Sequence, residues 1–405
     1  MTSDLVPVEV HLAQVLTAIR PLEPTRLTLA DAQGCVLAED TRTASALPPF
    51  DNSAMDGYAV HASDVAGASP DSPVTLPVTD EVPAGDTRIL AVAPGTCVRI
   101  MTGAMMPGGA DAVVPVEWTD GGRDQAVFRR AAPARNAIRW HGGDVPEGDV
   151  LLTAGTVLGP TQVALLAAGG CAYPMVRPQP SVSVISTGNE LIQPGEPLGP
   201  GQIWDSNSYL LAAAITEAGG VASRHRVADR PDQVLAKIAA QASLSDLLIT
   251  TGGVSMGGEH DVVKAGLSGR ESVGFRKVAM QPGMPQGFGL VGRDQTPLFT
   301  LPGNPVSVFV SFHVFVRPAL DVLRGLPPQP PPTVRASLTA PLESPEGRRS
   351  YLRGVLDPAV GTVTPLTGQG SHQLGTLARS NALIIVPETV TAMAAGEEAD
   401  VISLP

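Results

Sequence analysis

Basic side chains are scarce in this sequence. Only three lysines occur, Lys237, Lys264 and Lys277, all in one segment; arginine supplies the remaining positive charge, and the formal net charge is −12. A protein that works by neutralising phosphates needs a basic face, so nucleic acid is not expected as a main partner. Cysteine is equally rare. Cys35, Cys97 and Cys171 stand far apart with no C-x-x-C pair, which argues against a disulfide framework or a zinc site and for reduced, mostly buried thiols in a cytoplasmic protein. The amino terminus, MTSDLVPVEV, has neither a basic n-region nor an apolar core, so no signal peptide is expected. The longest apolar stretch, VSVFVSFHVFV, is broken by Ser311 and His313 and is too short to span a bilayer, so no membrane anchor is expected either.

What the chain has in quantity is glycine (43) and proline (39), spread among apolar residues over 405 positions. That texture points to many short strands and turns, and the length to about two to four domains. Leu12, Val15, Leu16 and Ile19 recur at i, i+3, i+4 and i+7, which predicts an amphipathic amino-terminal helix. ALPPFDNSAMDGYAV reads as a structured loop leading into a strand at Tyr58, and short β-prone runs parted by Gly and Pro continue to about residue 144 as a small all-β unit. Within it Thr102-Gly103 falls at a strand end and Asp144 in a glycine turn. From the residues alone, ordinary turn chemistry is the preferred account of Asp56, Thr102 and Asp144.

From PSVSVIST onward a strand, loop, helix pattern recurs. Helices are predicted over SNSYLLAAAITEAGG, with a stripe at Leu211, Ile215 and Ala218, over PDQVLAKIAAQAS, and over the long PVSVFVSFHVFVRPALDVLRG, with Asn304 as N-cap and Pro305 in the first turn. The pattern predicts parallel strands with a ligand outside their carboxyl ends. Three loops should meet there, STGNEL, TTGGVSMGGEHD and LPGNP, offering backbone donors, the helix start at Pro305 for an anion, and carboxylates from Glu190 and Asp261 for a metal. LPPQPPPT, from Leu326 to Thr333, is an extended linker, and the remaining residues read as all-β. There Arg348, Arg349 and Arg353 gather near one strand and read as a solvated face.

The centrepiece is DLLITTGGVSMGGEHD, an apolar strand emptying into a glycine loop with acids at its rim. Gly252, Gly253, Gly257 and Gly258 let backbone N–H groups approach a ligand, while Glu259 and Asp261 require a cation between them and any phosphate, which suggests a phosphorylated ligand held with Mg²⁺. A plain turn is the competing reading. A P-loop is excluded because no Gly-Lys-Ser/Thr follows, and a dinucleotide fingerprint because the glycine spacing is wrong. Gly253-Val254-Ser255-Met256-Gly257 matches the nucleophile elbow of serine hydrolases, yet Met256-Gly257-Gly258-Glu259 is a poor helix start. His260 reads as a surface histidine.

PPFDNSAMDGYA (48–59), RIMTGAMMPGGADAVV, VISTGNEL, TTGGVSMGGEHD, LPGNPVS and GSHQLGTLARSNAL, in this order, resemble the MoeA family of molybdopterin molybdenumtransferases, the family of the gephyrin E domain. The resemblance implies a multidomain α/β plus β protein: a discontinuous linker and dimerisation domain (1–45 and 145–178), an inserted β domain (46–144), a central three-layer α/β molybdopterin-binding domain (179–326) and a carboxyl-terminal β barrel (327–405). It implies a homodimer that inserts molybdate into adenylylated molybdopterin with Mg²⁺ or a similar ion and releases AMP, in a cleft between the α/β domain of one subunit and the β domain of the other. Other cofactor-biosynthesis proteins are further partners the resemblance allows. Carried over residue by residue, Asp56, Asp144, Glu190, Asp229 and Asp261 match catalytic positions, with Glu190 and Asp261 as metal ligands. Thr102, Gly188, Gly252, Gly253, Ser255, Lys277, Pro302, Asn304, Ser371 and Arg353 match ligand-binding positions. The chain departs from the family where K-P-G-K-P is usual and Gln281-Pro282-Gly283-Met284-Pro285 stands instead, so two cations for an oxyanion are lost. A stand-alone adenylyltransferase shares the α/β motifs but lacks the PPFDNSAMDGYA domain and the barrel, and a gephyrin-like scaffold is the alternative of a different class.

Overall fold

The computed structural model describes residues 5–252, 267 and 273–404. The chain divides into two compact units: residues 1–25, 34–38 and 175–405 in one, and 26–33 and 39–174 in the other.

The larger unit is built on a six-stranded sheet in the order Val221–Val227, Ser181–Thr187, Leu247–Thr251, Thr296–Leu301, Pro285–Val291, Val273–Lys277. The first four strands are parallel, as the recurring strand and helix pattern predicts, but Pro285–Val291 runs antiparallel to both of its neighbours, which leaves Val273–Lys277 pointing the same way as the first four. The sheet is therefore mixed. Pro285–Val291 follows its neighbour through a short connection with no crossover helix, and only a crossover can return a strand in the same direction.

Strand alternation sorts the apolar residues to two sides. Val182, Val184, Leu247, Ile249, Phe299 and Leu301 pack one core with the amino-terminal helix and the helices after Asn207 and Pro305; Ile185, Leu248 and Leu298 pack the other with Val234 and Ile238. Burial on both faces is what the continuous apolar run Leu247, Leu248, Ile249 requires. Three layers result.

The stretch Pro305–Leu323 is apolar over 19 residues, enough in length and composition to cross a membrane, but most of it is buried inside the protein. Its middle, Phe312–Val316, is wound as a π turn between α-helical segments. Pro318 explains the departure from one regular helix: it has no N–H for the i−4 carbonyl and its ring crowds that group, so the turn before it opens.

In the amino-terminal helix Val8–Ala18 the buried side chains are Val8, His11 and Val15, while Leu12 and Leu16 are only partly covered. A histidine thus occupies the expected apolar stripe, edge-on to Phe315 at 4.9 Å.

The carboxyl-terminal strands Arg349–Asp357, Thr362–Pro365, Thr333–Leu338, Glu398–Ser403 and Ala382–Val386 close on themselves through pairing of the first with the last. This is a five-stranded barrel. Met280–Gln281 adds to its Arg349–Asp357 strand, and Arg349 bridges Glu9 of the amino-terminal helix and Glu388.

The smaller unit holds a five-stranded sheet in the order Ala112–Pro115, Gly57–Val60, Cys97–Ile100, Val74–Val82, Gln125–Phe128. Gly57 is obligatory there, because a Cβ would sit 2.0 Å from the Val114 carbonyl oxygen. Strands on either side of this sheet in sequence, Thr41–Arg42 and Val150–Leu152, pair with each other.

His11 and His313 are both buried, and desolvation pulls each imidazole down to about 4, helped by the charges of Arg276 and Arg317 respectively. Their folded pKa values lie below the unfolded one, so the stability they contribute is complete above about pH 6.5 and is lost as pH falls toward 4. We expect unfolding free energy to fall across that window by on the order of 3 kcal/mol per histidine, and the thermal midpoint with it. Thermal melts of His11→Leu and His313→Leu should show a flatter pH dependence than the parent, and an unchanged slope would refute the assignment.

Candidate functional site

The strand order reverses between Ser181–Thr187 and Leu247–Thr251, since the chain leaves the first of these to build Val221–Val227 on one side and returns to build the second on the other. Loops diverge at such a point, leaving a crevice outside the carboxyl ends. A cleft of about 100 Å³ occupies it, lined by Thr187, Glu190, Trp204, Asn207, Gly252 and Gly303 among others. It has room for one group of a ligand, well short of the roughly 300 Å³ at which whole-ligand pockets begin.

The turn before the Asn207–Glu217 helix organises this edge. Asp205, buried to 5% exposure, accepts from the Ser186 hydroxyl at 2.6 Å and from the Ser208 amide at 3.1 Å. It is thus a helix cap and a strand-end clamp at once. Two residues on, the Asn207 amide group donates to the Thr251 hydroxyl at 3.1 Å and to the Gly303 carbonyl at 2.6 Å, joining the second and third loops. Among the described residues its own carbonyl oxygen has no partner. Thr187 donates to Asp229 at 2.9 Å, and the Asp229 amide donates to Asn189 at 3.1 Å.

At two of these turns the backbone favours glycine, and at Gly252 space excludes a side chain as well, whereas at Gly188 only a movable carboxylate stands near. At Gly252, φ is +92° and a Cβ would lie 2.7 Å from the Thr187 carbonyl oxygen; at Gly188 it would lie 2.6 Å from the Glu190 carboxylate. Among the described residues that carboxylate takes no side-chain hydrogen bond or ion pair. Glu190, Asp229, Gly188 and Gly252 therefore lie at one edge, as expected. Gly253, Ser255 and Asp261 fall outside the described residues, as do Glu259 and His260. Lys277 ends the outermost strand at the same edge, two strands from Thr296–Leu301 and so roughly 10 Å away by strand spacing.

The third loop departs from the expectation of an anion-binding helix start. Asn304 occupies the N-cap position but its side chain caps nothing; it donates to the Ser371 hydroxyl at 3.0 Å. The Val306 amide is likewise taken, by the Ser371 carbonyl, and Pro305 has no N–H to offer. The Ser371 loop of the barrel thus satisfies donors that an anion would otherwise meet.

Arg353 holds that loop. Contrary to the solvated face expected of the arginines, it is 0% exposed, and it donates to the carbonyls of Gly368 at 2.7 Å and Gly370 at 3.2 Å. Burial without a carboxylate pushes its pKa down, and among the described residues Nε and Nη1 have no partner.

In the smaller unit, one oxygen of Asp56 accepts from both the amide and the hydroxyl of Thr102 at 2.7 Å. These bonds, the backbone one first, hold the carboxyl below its ordinary range. Thr102 is spent on orienting Asp56. Asp144 lies apart. Asn52–Ser53 pairs antiparallel with Ile138–Arg139, so Asp56 and Asp144 leave this ribbon at opposite ends, and Asp144 is fixed by its own amide to the Leu47 carbonyl.

Asp205 and Asn207 were not singled out by sequence reading. The signal available was Asp205-Ser206-Asn207 directly before an apolar helical stripe, a cluster of cap-forming residues that also reads as a plain helix start.

Known families match the chain in three successive stretches. Family profiles match residues 6–170 as the MoeA N-terminal region (domain I and II), 183–322 as a probable molybdopterin binding domain, and 335–404 as the MoeA C-terminal region (domain IV). The chain is 47% identical over 401 residues to molybdopterin molybdenumtransferase 2 of Mycobacterium tuberculosis, covering 97% of this chain and 98% of that one. It is 36% identical to the molybdopterin molybdenumtransferase of Haemophilus influenzae, over 93% of each. Among solved structures, a molybdopterin biosynthesis MoeA protein from Pyrococcus horikoshii superposes with a TM-score of 0.75 at 30% identity, covering 98% of this chain and 99% of that one.

The clamp at Asp205 can be tested on its own. Asp205→Ala leaves the Ser186 hydroxyl and a helix amide unpaired, so urea unfolding should show a loss of about 2 kcal/mol. A change below about 0.5 kcal/mol, the range of neutral surface substitutions, would show that the carboxylate bears no structural load.

Proposed function

We infer what this chain does from the family it belongs to: it is a member of the MoeA family of molybdopterin molybdenumtransferases, and a transferase of molybdenum cofactor biosynthesis. We propose that it inserts molybdate into adenylylated molybdopterin, with release of AMP, as a cytoplasmic homodimer. The observation that carries this reading is the convergence of Thr187 to Glu190, Thr251 to Gly252 and Gly303 on one cleft at the sheet's switch point. Cytoplasmic placement rests on the few, widely separated cysteines without a C-x-x-C pair.

The residues present fit a divalent ion of the Mg²⁺ type. Mg²⁺ is usually held by one or two carboxylates together with substrate phosphates, and the Glu190 carboxylate stands in the cleft with no competing partner among the described residues. Bound there, the ion would neutralise charge on the phosphoryl oxygens. No third acidic or histidine ligand is grouped with it among the described residues.

The chain's own part is positioning and charge stabilisation. Gly252 brings backbone to within reach of a phosphate where a side chain would block it. Asn207 fixes the spacing of the two loops that flank that approach, and Asp229 holds Thr187 at the rim. Asp56, kept ionised and aimed by Thr102, is suited to orienting a water or an oxyanion. Lys277 and Arg276 are the cations of the nearby edge strand for molybdate, since Gln281 and Met284 supply none. Gln286 fixes the loop carrying them, donating at 2.6 Å to both the Gly283 carbonyl and the Ser311 hydroxyl.

The homodimer places Asp56 of one copy with Glu190 of the other. Exposed Phe50 and Met55 beside Asp56 form an apolar surface suited to being covered.

The measurement that tests the reaction is molybdate-dependent release of AMP from adenylylated molybdopterin. Asp56→Ala and Glu190→Ala should each lower it by at least about a hundredfold, the scale of a lost positioning or electrostatic group. Mixing the two inactive variants tests the dimer: in a two-fold assembly with shared sites, random re-pairing restores about a quarter of parental activity. No recovery would place both residues in one subunit's site or in none. Gln281→Lys should lower the molybdate concentration needed for half-maximal release, and an unchanged requirement would remove that position from the oxyanion site.

A further inference from the structure

We propose that Trp204 is a stacking platform for a planar nitrogen heterocycle of the substrate, purine or pterin; this rests on the reading of the switch-point cleft given above. The indole is 50% exposed at the lip of that cleft, next in sequence to the buried Asp205. Exposure of so large an apolar ring needs a reason, and three features show that this ring is held instead of left over.

Its backbone is fixed on both sides. Ile203–Trp204 pairs in parallel with Leu191–Ile192, and Asp205 is anchored through Ser186. Its polar handle is also spent: Nε1–H donates to the Glu196 carbonyl at 2.9 Å, which sets the ring's orientation and leaves only its faces to interact. Finally, those faces are bare where those of the other tryptophans are not. Arg130 lies over Trp118 at 3.9 Å and Arg135 over Trp140 at 4.6 Å, whereas among the described residues no cation or ring covers Trp204.

The same cleft holds the Asn207 carbonyl oxygen, which has no partner among the described residues, together with the close backbone approach at Gly252. A ring stacked on Trp204 would project its substituents toward the phosphate-sized space between them. Stacking on an aromatic side chain tolerates any heterocycle with a π face, so it supplies affinity without selecting between adenine and pterin.

The test is calorimetric titration of the full-length protein, with Mg²⁺, against AMP and separately against 6-hydroxymethylpterin, which carries no phosphate. Trp204→Ala should weaken one of the two by roughly tenfold or more, and the probe that responds identifies which ring is stacked. Trp204→Phe keeps a ring but loses the bond to Glu196, so it should remain within about threefold of the parent; if that bond alone mattered, Phe and Ala would be equally impaired. With tight binding, Trp204 emission should also be quenched by the responding probe and not by inorganic phosphate. Parental binding of both probes by Trp204→Ala overturns the stacking role while leaving the cleft assignment standing. Failure of the parent protein to bind either probe overturns both.

Discussion

A single turn, Asp205 to Ser208, ties together the edge on which everything else rests. Parallel strands end in loops that nothing in the sheet itself holds in register, because the ladder stops where the loops begin. Here Asp205 closes the first strand's end onto a helix amino terminus, and Asn207 reaches across to the other two loops. Side chains take over where backbone pairing ceases. A buried carboxylate is tolerable only because a hydroxyl and an amide both donate to it, and the same bonds make the turn costly to move.

The barrel acts on this edge through one loop. Arg353 sits wholly inside the protein, and its N–H groups draw the carbonyls of Gly368 and Gly370 inward, presenting Ser371 to Asn304 and Val306. Protein thus takes the Val306 amide and the Asn304 side chain at this helix start. What stays open at this edge is the close backbone approach at Gly252 and the cleft beside Glu190. Among the described residues the Glu190 carboxylate at this edge takes no side-chain partner.

Much of the scaffold could be read from residue order. The run Leu247, Leu248, Ile249 could only be a strand covered on both faces, and the stripe Leu211, Ile215, Ala218 could only be a helix docked on one side; both are buried as those patterns require. Reading failed where two local preferences were equally satisfied. Asn304 before Pro305 is an ordinary cap pattern, and nothing nearby in sequence announces that Ser371 will claim its side chain. Arg353 looks like a surface cation because burial of an arginine is decided by carbonyls that lie 15 and 17 residues away. Phe312–Val316 followed the helical period, and only the strain before Pro318 opened it into a wider turn.

The sequence by itself determined the central buried strand, the principal helices, the glycine turns and the family, because each depends on periods and side-chain types within a short window. The tertiary structure alone decided that the sheet is mixed, that Thr102 is bonded to Asp56, that Asp205 and Asn207 brace the cleft and that the barrel occupies the helix start. Those outcomes depend on which distant polar group arrives first to satisfy a buried donor or acceptor, and a burial cost of this kind is set by three-dimensional neighbours that no local pattern encodes.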